Sequence, residues 1–189
     1  MRHHDLTLPV IDPAALIRYV IFSLLFVGFP SAAAELIGRV VGVHDGDTVT
    51  ILDSGNTQYK IRLAGIDSPE LKQQFGAKAK ESLSSFLYAK KVTVEWKKRD
   101  RYGRIVGKIL FMPANCITPA CLQPADANYE QIAAGMAWYY RQYASELNPD
   151  DRAKYDAAEN RAHVEKRGLW GDPNAVPPWT WRRSKKNTK

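Results

Sequence analysis

Four short polar clusters interrupt the apolar segments between residues 45 and 104. They are Asp45-Gly46-Asp47-Thr48, Arg62, Asp67-Ser68-Pro69-Glu70 and Tyr102-Gly103-Arg104. Carboxylate oxygens are the ligands that Ca²⁺ and Mg²⁺ prefer, and a bound metal polarises a phosphoryl oxygen and supplies a water. Arginines donate charge-assisted hydrogen bonds to a phosphate as its negative charge grows, and a further carboxylate can orient or deprotonate water. These residue types together indicate hydrolysis of a phosphodiester.

Each of these residues has an ordinary structural explanation when it is taken alone. Asp45-Gly46 is typical of a hairpin turn, and Arg62 could be one half of an ion pair. Glu70 could simply favour the start of a helix. Only their joint occurrence in one order favours a functional site over these alternatives.

The segments that must position the clusters have the hydrophobic patterns of strands and helices. Alternation and β-branched runs predict five strands, at Leu36–Val43, Thr48–Leu52, Tyr59–Leu63, Val92–Trp96 and Ile105–Met112. Each polar cluster then falls at a strand end or at a turn. A barrel would bring such positions together.

Three helices complete the predicted domain. Apolar residues at helical spacing predict one helix over about Phe75–Ala89 and another over Asp126–Met136. The last helix should begin with Asn148 as N-cap and Pro149 at its first position, and Gly168 stands where a C-cap glycine belongs. This order predicts an α+β fold, a five-stranded OB-type β-barrel with three helices, whose open face and loops bind oligonucleotides in other proteins.

Three motifs closely resemble the staphylococcal nuclease (thermonuclease-like) family. They are His44–Val49, Ile61–Glu70 and Asp100–Arg104, and the resemblance covers roughly Ile37–Trp170. It implies a calcium-dependent nuclease that hydrolyses DNA and RNA and leaves 3′-phosphates, with nucleic acid as its partner. We expect low sequence specificity, because no base-reading motif is visible, and a monomer, because nothing demands an oligomer.

The resemblance also implies roles for seven residues. Asp47 and Asp67 match the calcium carboxylates, and the backbone carbonyl of Ser68 matches a further ligand. The proposed general base or water-orienting group corresponds to Glu70. The phosphate-binding and transition-state arginines, and a tyrosine near the nucleotide phosphate, correspond to Arg62, Arg104 and Tyr102. The stretch Trp138–Tyr143 does not align uniquely with the tyrosines that stack on a base, so any of its aromatic residues could do so.

Two other functions fit part of the pattern. One is a nucleic-acid-binding module that has lost catalysis, and the other is a calcium-stabilised extracellular domain without a substrate. The first usually lacks acidic or arginine residues at the site, and the second does not explain Arg62 and Arg104. The presence of the full set favours an enzyme.

Charge and the two ends of the chain add further expectations. The 189 residues carry a formal net charge of +7 and a sequence pI of about 9.4, which suits an anionic partner. The segment 172–189 reads as a Pro/Trp/basic tail, laid on the surface or mobile. Its cations, Arg182, Arg183, Lys185 and Lys186, either attract phosphates without specificity or only keep the chain soluble.

The N-terminal segment has the pattern of an export signal. A positive Arg18, a short apolar run from Tyr19 to Phe29 and the small residues before Glu35 predict cleavage after Ala34; an uncleaved anchor is the alternative. The predicted organisation is a signal peptide over 1–34, a catalytic domain over 35–171 and the tail, in a secreted or periplasmic protein. In such a compartment Cys116 and Cys121 could form a disulfide that closes a small loop, or they could remain free thiols.

Overall fold

Five long strands form the centre of the protein, for which a computed structural model describes residues 34–113 and 123–187. The long strands are β1 (Ala34–Val43), β2 (Thr48–Leu52), β3 (Gln58–Leu63), β5 (Lys91–Arg99) and β6 (Ile105–Phe111). Three two-residue strands accompany them, β4 (Ile66–Asp67), β7 (Ala125–Asp126) and β8 (Trp138–Tyr139).

The long strands close into a barrel. Their order is β3-β2-β1-β5-β6, and β3 also pairs with β6. The closing pair is parallel, with Ile61 opposite Ile105, whereas the other long-strand pairs are antiparallel. β1 reaches both β2 and β5 through an irregularity between Val40 and Gly42, the kind of bulge that lets a strand bend round a barrel corner. The predicted five-stranded OB-type barrel is confirmed.

The alternating pattern of the strands fills the barrel with apolar side chains. In β6 every second residue is buried, from Ile105 to Phe111. On β2 and β3, Ile51 and Ile61 are fully buried. Each such side chain contributes roughly 1.5–3 kcal/mol when it leaves water, so the barrel is a stiff frame for the polar residues at its strand ends.

Within residues 34–113 and 123–187 the chain forms four α-helices, α1 (Gly76–Leu87), α2 (Ala127–Ala133), α3 (Pro149–Val164) and α4 (Pro178–Asn187). Short 3₁₀ helices cover Arg141–Glu146 and Gly168–Gly171. The first three α-helices are the predicted ones, and the N-cap of α3 is Asn148 as expected, because its side chain accepts a hydrogen bond from the Asp151 N–H. The fourth, α4, lies in the tail and was not predicted.

Some predictions concern segments that the structure does not describe. The predicted export signal lies outside the described residues except for Ala34, which begins β1, and the pair Cys116 and Cys121 also lies outside them. Both remain predictions. Within the described ranges no helix has the length and apolar character needed to cross a membrane.

Candidate active site

The turn after β1 places Asp47 at the edge of the barrel with its carboxylate turned inwards. The Asp47 N–H donates to Asp45 Oδ1 (3.0 Å), and its carbonyl accepts from the Leu63 N–H (2.9 Å). Its carboxylate accepts from Thr48 Oγ1 at 3.0 Å and from the Ser68 N–H at 2.8 Å. These contacts fix the carboxylate between β2 and the start of the Ser68 segment.

Arg62 joins two buried carboxylates. It stands opposite Thr48 in the β2–β3 register. Its Nη1 lies 2.8 Å from Asp47 Oδ2, and its Nη2 lies 2.8 Å from Asp67 Oδ1. Asp67 belongs to β4, where it pairs with Trp138 of β8 and is 1% exposed. The barrel therefore brings together Asp47, Arg62 and Asp67, which lie within a span of 20 positions along the chain.

Close packing behind the turn explains why its central residue is glycine. A Cβ on Gly46 would lie 2.6 Å from the Ala79 Cβ and 2.7 Å from the Ser68 Cβ, far closer than carbon atoms approach. The Gly46 carbonyl accepts from Ser68 Oγ at 2.9 Å and from Gln131 Nε2 at 2.7 Å. Gln131 is fully buried and also donates to the Ala79 carbonyl at 3.0 Å. It ties the turn to α1 and α2, a role that sequence analysis missed.

Burial changes the acidity of both carboxyl groups. Desolvation raises the pKa of Asp47 to about 6, although the neighbouring Arg62 opposes this. It also raises the pKa of Asp67, against a hydrogen bond from Arg182 and the charge of Arg62. Buried carboxylates are stable only with cationic or hydrogen-bonding partners, so this pair is suited to holding positive charge.

Arg104 and Tyr102 come from the turn between β5 and β6. Asp100 organises this turn, because its Oδ1 accepts from the N–H groups of Tyr102 (2.9 Å) and Arg104 (3.0 Å). Its Oδ2 lies 2.7 Å from Arg104 Nε. Gly103 supplies the left-handed backbone, with φ of 78°. Asp100 stood in the third motif without an assigned role, and the structure shows that it orients the arginine.

All seven predicted site residues line one cleft of about 970 Å³. They are Asp47, Arg62, Asp67, Ser68, Glu70, Tyr102 and Arg104. Tyr102 is 68% exposed at the mouth, whereas the aspartates lie at the floor. The structure therefore brings the whole predicted set to one place.

Two of the aromatic residues in 138–143 lie at the same cleft. Tyr140 and Tyr143 line it, with their ring centroids 5.0 Å apart. Trp138 and Tyr139 are buried as β8. Of these four aromatic residues, Tyr140 and Tyr143 are the two that line this cleft.

One cleft residue comes from a part of the chain where no site was predicted. Arg182 of α4 lies with Nη2 2.7 Å from Asp67 Oδ2 and Nη1 2.8 Å from Glu70 Oε1. Sequence analysis placed it among the cations of the tail, and no local pattern distinguished it from Arg183.

The donor set at the cleft floor fits a hard divalent cation. Asp47, Asp67 and the Ser68 carbonyl are all oxygen donors, which suit Ca²⁺ or Mg²⁺ and leave the other coordination positions to water or substrate. Among the described residues no group of three or more His, Cys, Asp or Glu side chains is arranged to hold a metal ion.

Comparison with known proteins decides the family. A sequence model described as staphylococcal nuclease homologue matches residues 60–172. The chain belongs to the staphylococcal nuclease family. It is 38% identical over 168 residues to an uncharacterized endonuclease of Escherichia coli, covering 89% of this chain and 99% of that protein. It is 37% identical over 173 residues to a micrococcal nuclease of Shigella flexneri, covering 92% and 95% of the two chains.

Proposed function

We propose that this member of the staphylococcal nuclease family is a calcium-dependent endonuclease that cleaves DNA and RNA with low sequence specificity and leaves 3′-phosphates. Nuclease activity follows from the family and from the relatives described as nucleases. One observation supports the proposed calcium dependence and chemistry. All seven residues converge on one cleft, and Arg62 joins the two aspartates at its floor.

Asp47, Asp67 and the Ser68 carbonyl would hold the metal. When bound, calcium supplies Lewis-acid polarisation of a phosphoryl oxygen and a source of activated water. Arg62 keeps the two aspartates apart by a fixed spacing, since it bridges one oxygen of each. The Ser68 N–H and hydroxyl hold the same segment against the turn, which fixes the direction of the Ser68 carbonyl before any ligand enters.

The arginines act on the phosphate. The guanidinium of Arg104 is held through Nε by Asp100 and the residue lines the cleft, so its Nη atoms are left to donate to phosphate oxygens. Preorganised donors of this kind stabilise charge that grows in the transition state. Arg62 lies deeper, beside the aspartates, where it would neutralise the phosphate nearest to them.

Glu70 is the group left to act on water. Its side chain is 42% exposed at the cleft wall, unlike the two buried aspartates, so it can reach solvent. A carboxylate in this place can orient a water and accept its proton.

The substrate class follows from the charge and the walls of the cleft. The chain is basic, with a net charge of +7, and the cleft adds the exposed rings of Tyr102 and Tyr143. Rings stack on any base, and they are sequence-tolerant because every base presents a π-face. This supports cleavage of both DNA and RNA.

Cleavage of a circular plasmid and of a labelled RNA tests the proposal. We expect cleavage with Ca²⁺, none with EDTA, 5′-hydroxyl ends, and new 3′ ends that a polymerase extends only after a 3′-phosphatase has acted. Binding without cleavage would instead indicate a nucleic-acid-binding module. Cleavage that is unchanged by EDTA, or 3′-hydroxyl ends, would contradict the proposed chemistry.

Export is a separate proposal, motivated by the pattern from Arg18 to Ala34. We expect mass spectrometry of the protein from the producing cells to find a mature chain that begins at or within a few residues of Glu35. A mature chain that retains Met1 would contradict cleavage.

A further inference from the structure

The helix α4 reaches back from the end of the chain to the floor of the cleft. Arg182 donates from Nη2 to Asp67 Oδ2 (2.7 Å) and from Nη1 to both Asp67 Oδ1 (3.3 Å) and Glu70 Oε1 (2.8 Å). Asp67 is buried, whereas Arg182 is 40% exposed. One guanidinium therefore contacts a proposed metal ligand and the proposed general base together.

Aromatic stacking and a hydrogen bond to the preceding segment help to hold α4 in this position. Trp179 stacks on Tyr140 with ring centroids 5.2 Å apart and planes within 6°, and it meets the edge of Trp138 at 6.4 Å. Gln73 Nε2 donates to the Val176 carbonyl just before the helix. Beyond Arg182, residues 183–186 are exposed. The stacking of Trp179, the hydrogen bond from Gln73 and the ion pairs of Arg182 do not involve the five long strands, so loss of these contacts leaves the pairing of those strands intact.

The contacts of Arg182 are incompatible with a metal at the same carboxylate. Arg62 donates to Asp67 Oδ1 and Arg182 donates to both oxygens, so each carboxylate oxygen already accepts from an arginine. A calcium ion would need a carboxylate oxygen at about 2.3–2.6 Å and would be repelled by a guanidinium held against the same group. Arg62 belongs to β3, so its backbone stays with the barrel, whereas Arg182 can withdraw with α4.

We propose that α4 is an autoinhibitory segment in which Arg182 competes with the divalent cation for Asp67 and occupies Glu70 until metal and nucleic acid displace it. This inference rests on the proposed function of Asp67 and Glu70. In the closed state both oxygens of Asp67 accept from Arg182 and Glu70 is already bonded to it. Entry of a divalent cation frees the cationic helix, whose Arg182, Arg183 and Lys186 side chains line the cleft and are attracted to the phosphates of the substrate.

A closed state that competes with calcium lowers the apparent affinity of the protein for calcium. The apparent dissociation constant equals the intrinsic value divided by the fraction of molecules in the open state. Arg182 is partly exposed in both of its ion pairs, and solvent screening makes such pairs favour the closed state only modestly, so removing Arg182 should tighten calcium binding about 3- to 10-fold. A neighbouring cation that does not touch the carboxylates should have little effect.

Calorimetric titration of Ca²⁺ into the full chain, without nucleic acid, tests the competition. Arg182→Gln is compared with the wild type and with Arg183→Gln, which removes the same charge from the next position on α4. We expect Arg182→Gln to bind Ca²⁺ 3- to 10-fold more tightly and Arg183→Gln to stay within twofold. Trp179→Ala, which removes the stacking on Tyr140 but keeps Arg182, should shift binding in the same direction.

Limited trypsin digestion provides a second readout, because the bonds after Arg182, Arg183, Lys185 and Lys186 lie in α4. Calcium should accelerate their cleavage in the wild type and leave the rate in Trp179→Ala nearly unchanged. Equal calcium affinity in Arg182→Gln, Arg183→Gln and the wild type would overturn the autoinhibition while leaving a calcium-dependent nuclease intact. Absence of calcium binding in all of them would overturn both proposals.

Discussion

Replacement of Gly46 by alanine should damage the site more than it damages the fold. The new Cβ would lie 2.6 Å from the Ala79 Cβ and 2.7 Å from the Ser68 Cβ, whereas carbon atoms in contact are about 3.5–4.0 Å apart. The turn or its neighbours must therefore move by about 1 Å. Both neighbours are backbone-anchored Cβ atoms rather than flexible side-chain ends, so the turn itself is the part that yields.

Two magnitudes follow from this displacement. Overpacking of a well-packed site costs about 1–3 kcal/mol, which for a chain of this size lowers Tm by about 2–12 °C. The turn carries Asp47 and contacts Ser68, and a displacement of about 1 Å in a catalytic site costs about 10²-fold in rate. The activity loss should thus exceed what the loss of folded protein explains.

Thermal unfolding by circular dichroism, calcium titration and kcat/KM on DNA measure these effects. Gly42→Ala is the matched control, since its Cβ would meet only the Thr50 Cβ at an ordinary 3.8 Å; it should leave all three measurements nearly unchanged. Wild-type activity and Tm in Gly46→Ala would refute the idea that close packing of this turn positions the aspartate.

Two further substitutions test separate parts of the account. Asp47→Asn removes one of two carboxylates at the cleft floor and should weaken calcium binding, with part of the activity restored at high Ca²⁺; an unchanged calcium titration would contradict its role as a ligand. At the N-cap of α2, burial raises the pKa of Asp126 despite hydrogen bonds from the Tyr129 N–H and the Tyr155 hydroxyl. The folded state therefore holds this proton more tightly than the unfolded chain, and the resulting stabilisation is present at low pH and lost as pH rises through the folded-state pKa. Asp126→Asn lacks this titrating carboxyl group. Its free energy of unfolding in urea, relative to that of the wild type, should therefore increase between pH 4 and pH 8. A difference between the two proteins that is independent of pH would contradict this.

The barrel strands and the position of the cleft were predictable because alternation, turns and helix caps depend on residues that are close together in the sequence. Alternation identifies strands such as Thr48–Leu52, and the turn residues between strands place the polar clusters at strand ends. The N-cap at Asn148 was predicted because the capping side chain and the N–H it binds are three residues apart.

Contacts between distant segments were not predictable in this way. Gln131 bonds to Gly46 across 85 residues, and Arg182 reaches Asp67 across 115. Neither residue differs in its local sequence from an ordinary helical glutamine or a tail arginine. The helix α4 is itself a product of such a contact, since it is docked through the stacking of Trp179 on Tyr140.

The end of α3 shows a local pattern that misled. Gly168 was predicted as a C-cap, but the helix ends at Val164, and Lys166 adopts the left-handed backbone with φ of 52°. Gly168 is needed for another reason: a Cβ there would lie 2.3 Å from the Gly135 carbonyl oxygen. Close approach of two backbone segments requires this glycine.

Steady-state kinetics of Glu70→Gln beside a calcium titration tests the central claim most directly. The amide keeps the size of the side chain but loses its basic oxygen and its ion pair with Arg182, so the variant should bind Ca²⁺ at least as tightly as the wild type. Its kcat should fall by about 10²–10⁴, without rescue by added Ca²⁺. In Arg104→Lys the loss of the planar fork held by Asp100 should lower kcat more than it changes KM. Near-wild-type turnover in both variants would contradict the assignment of this cleft as the active site, even if the protein still bound DNA.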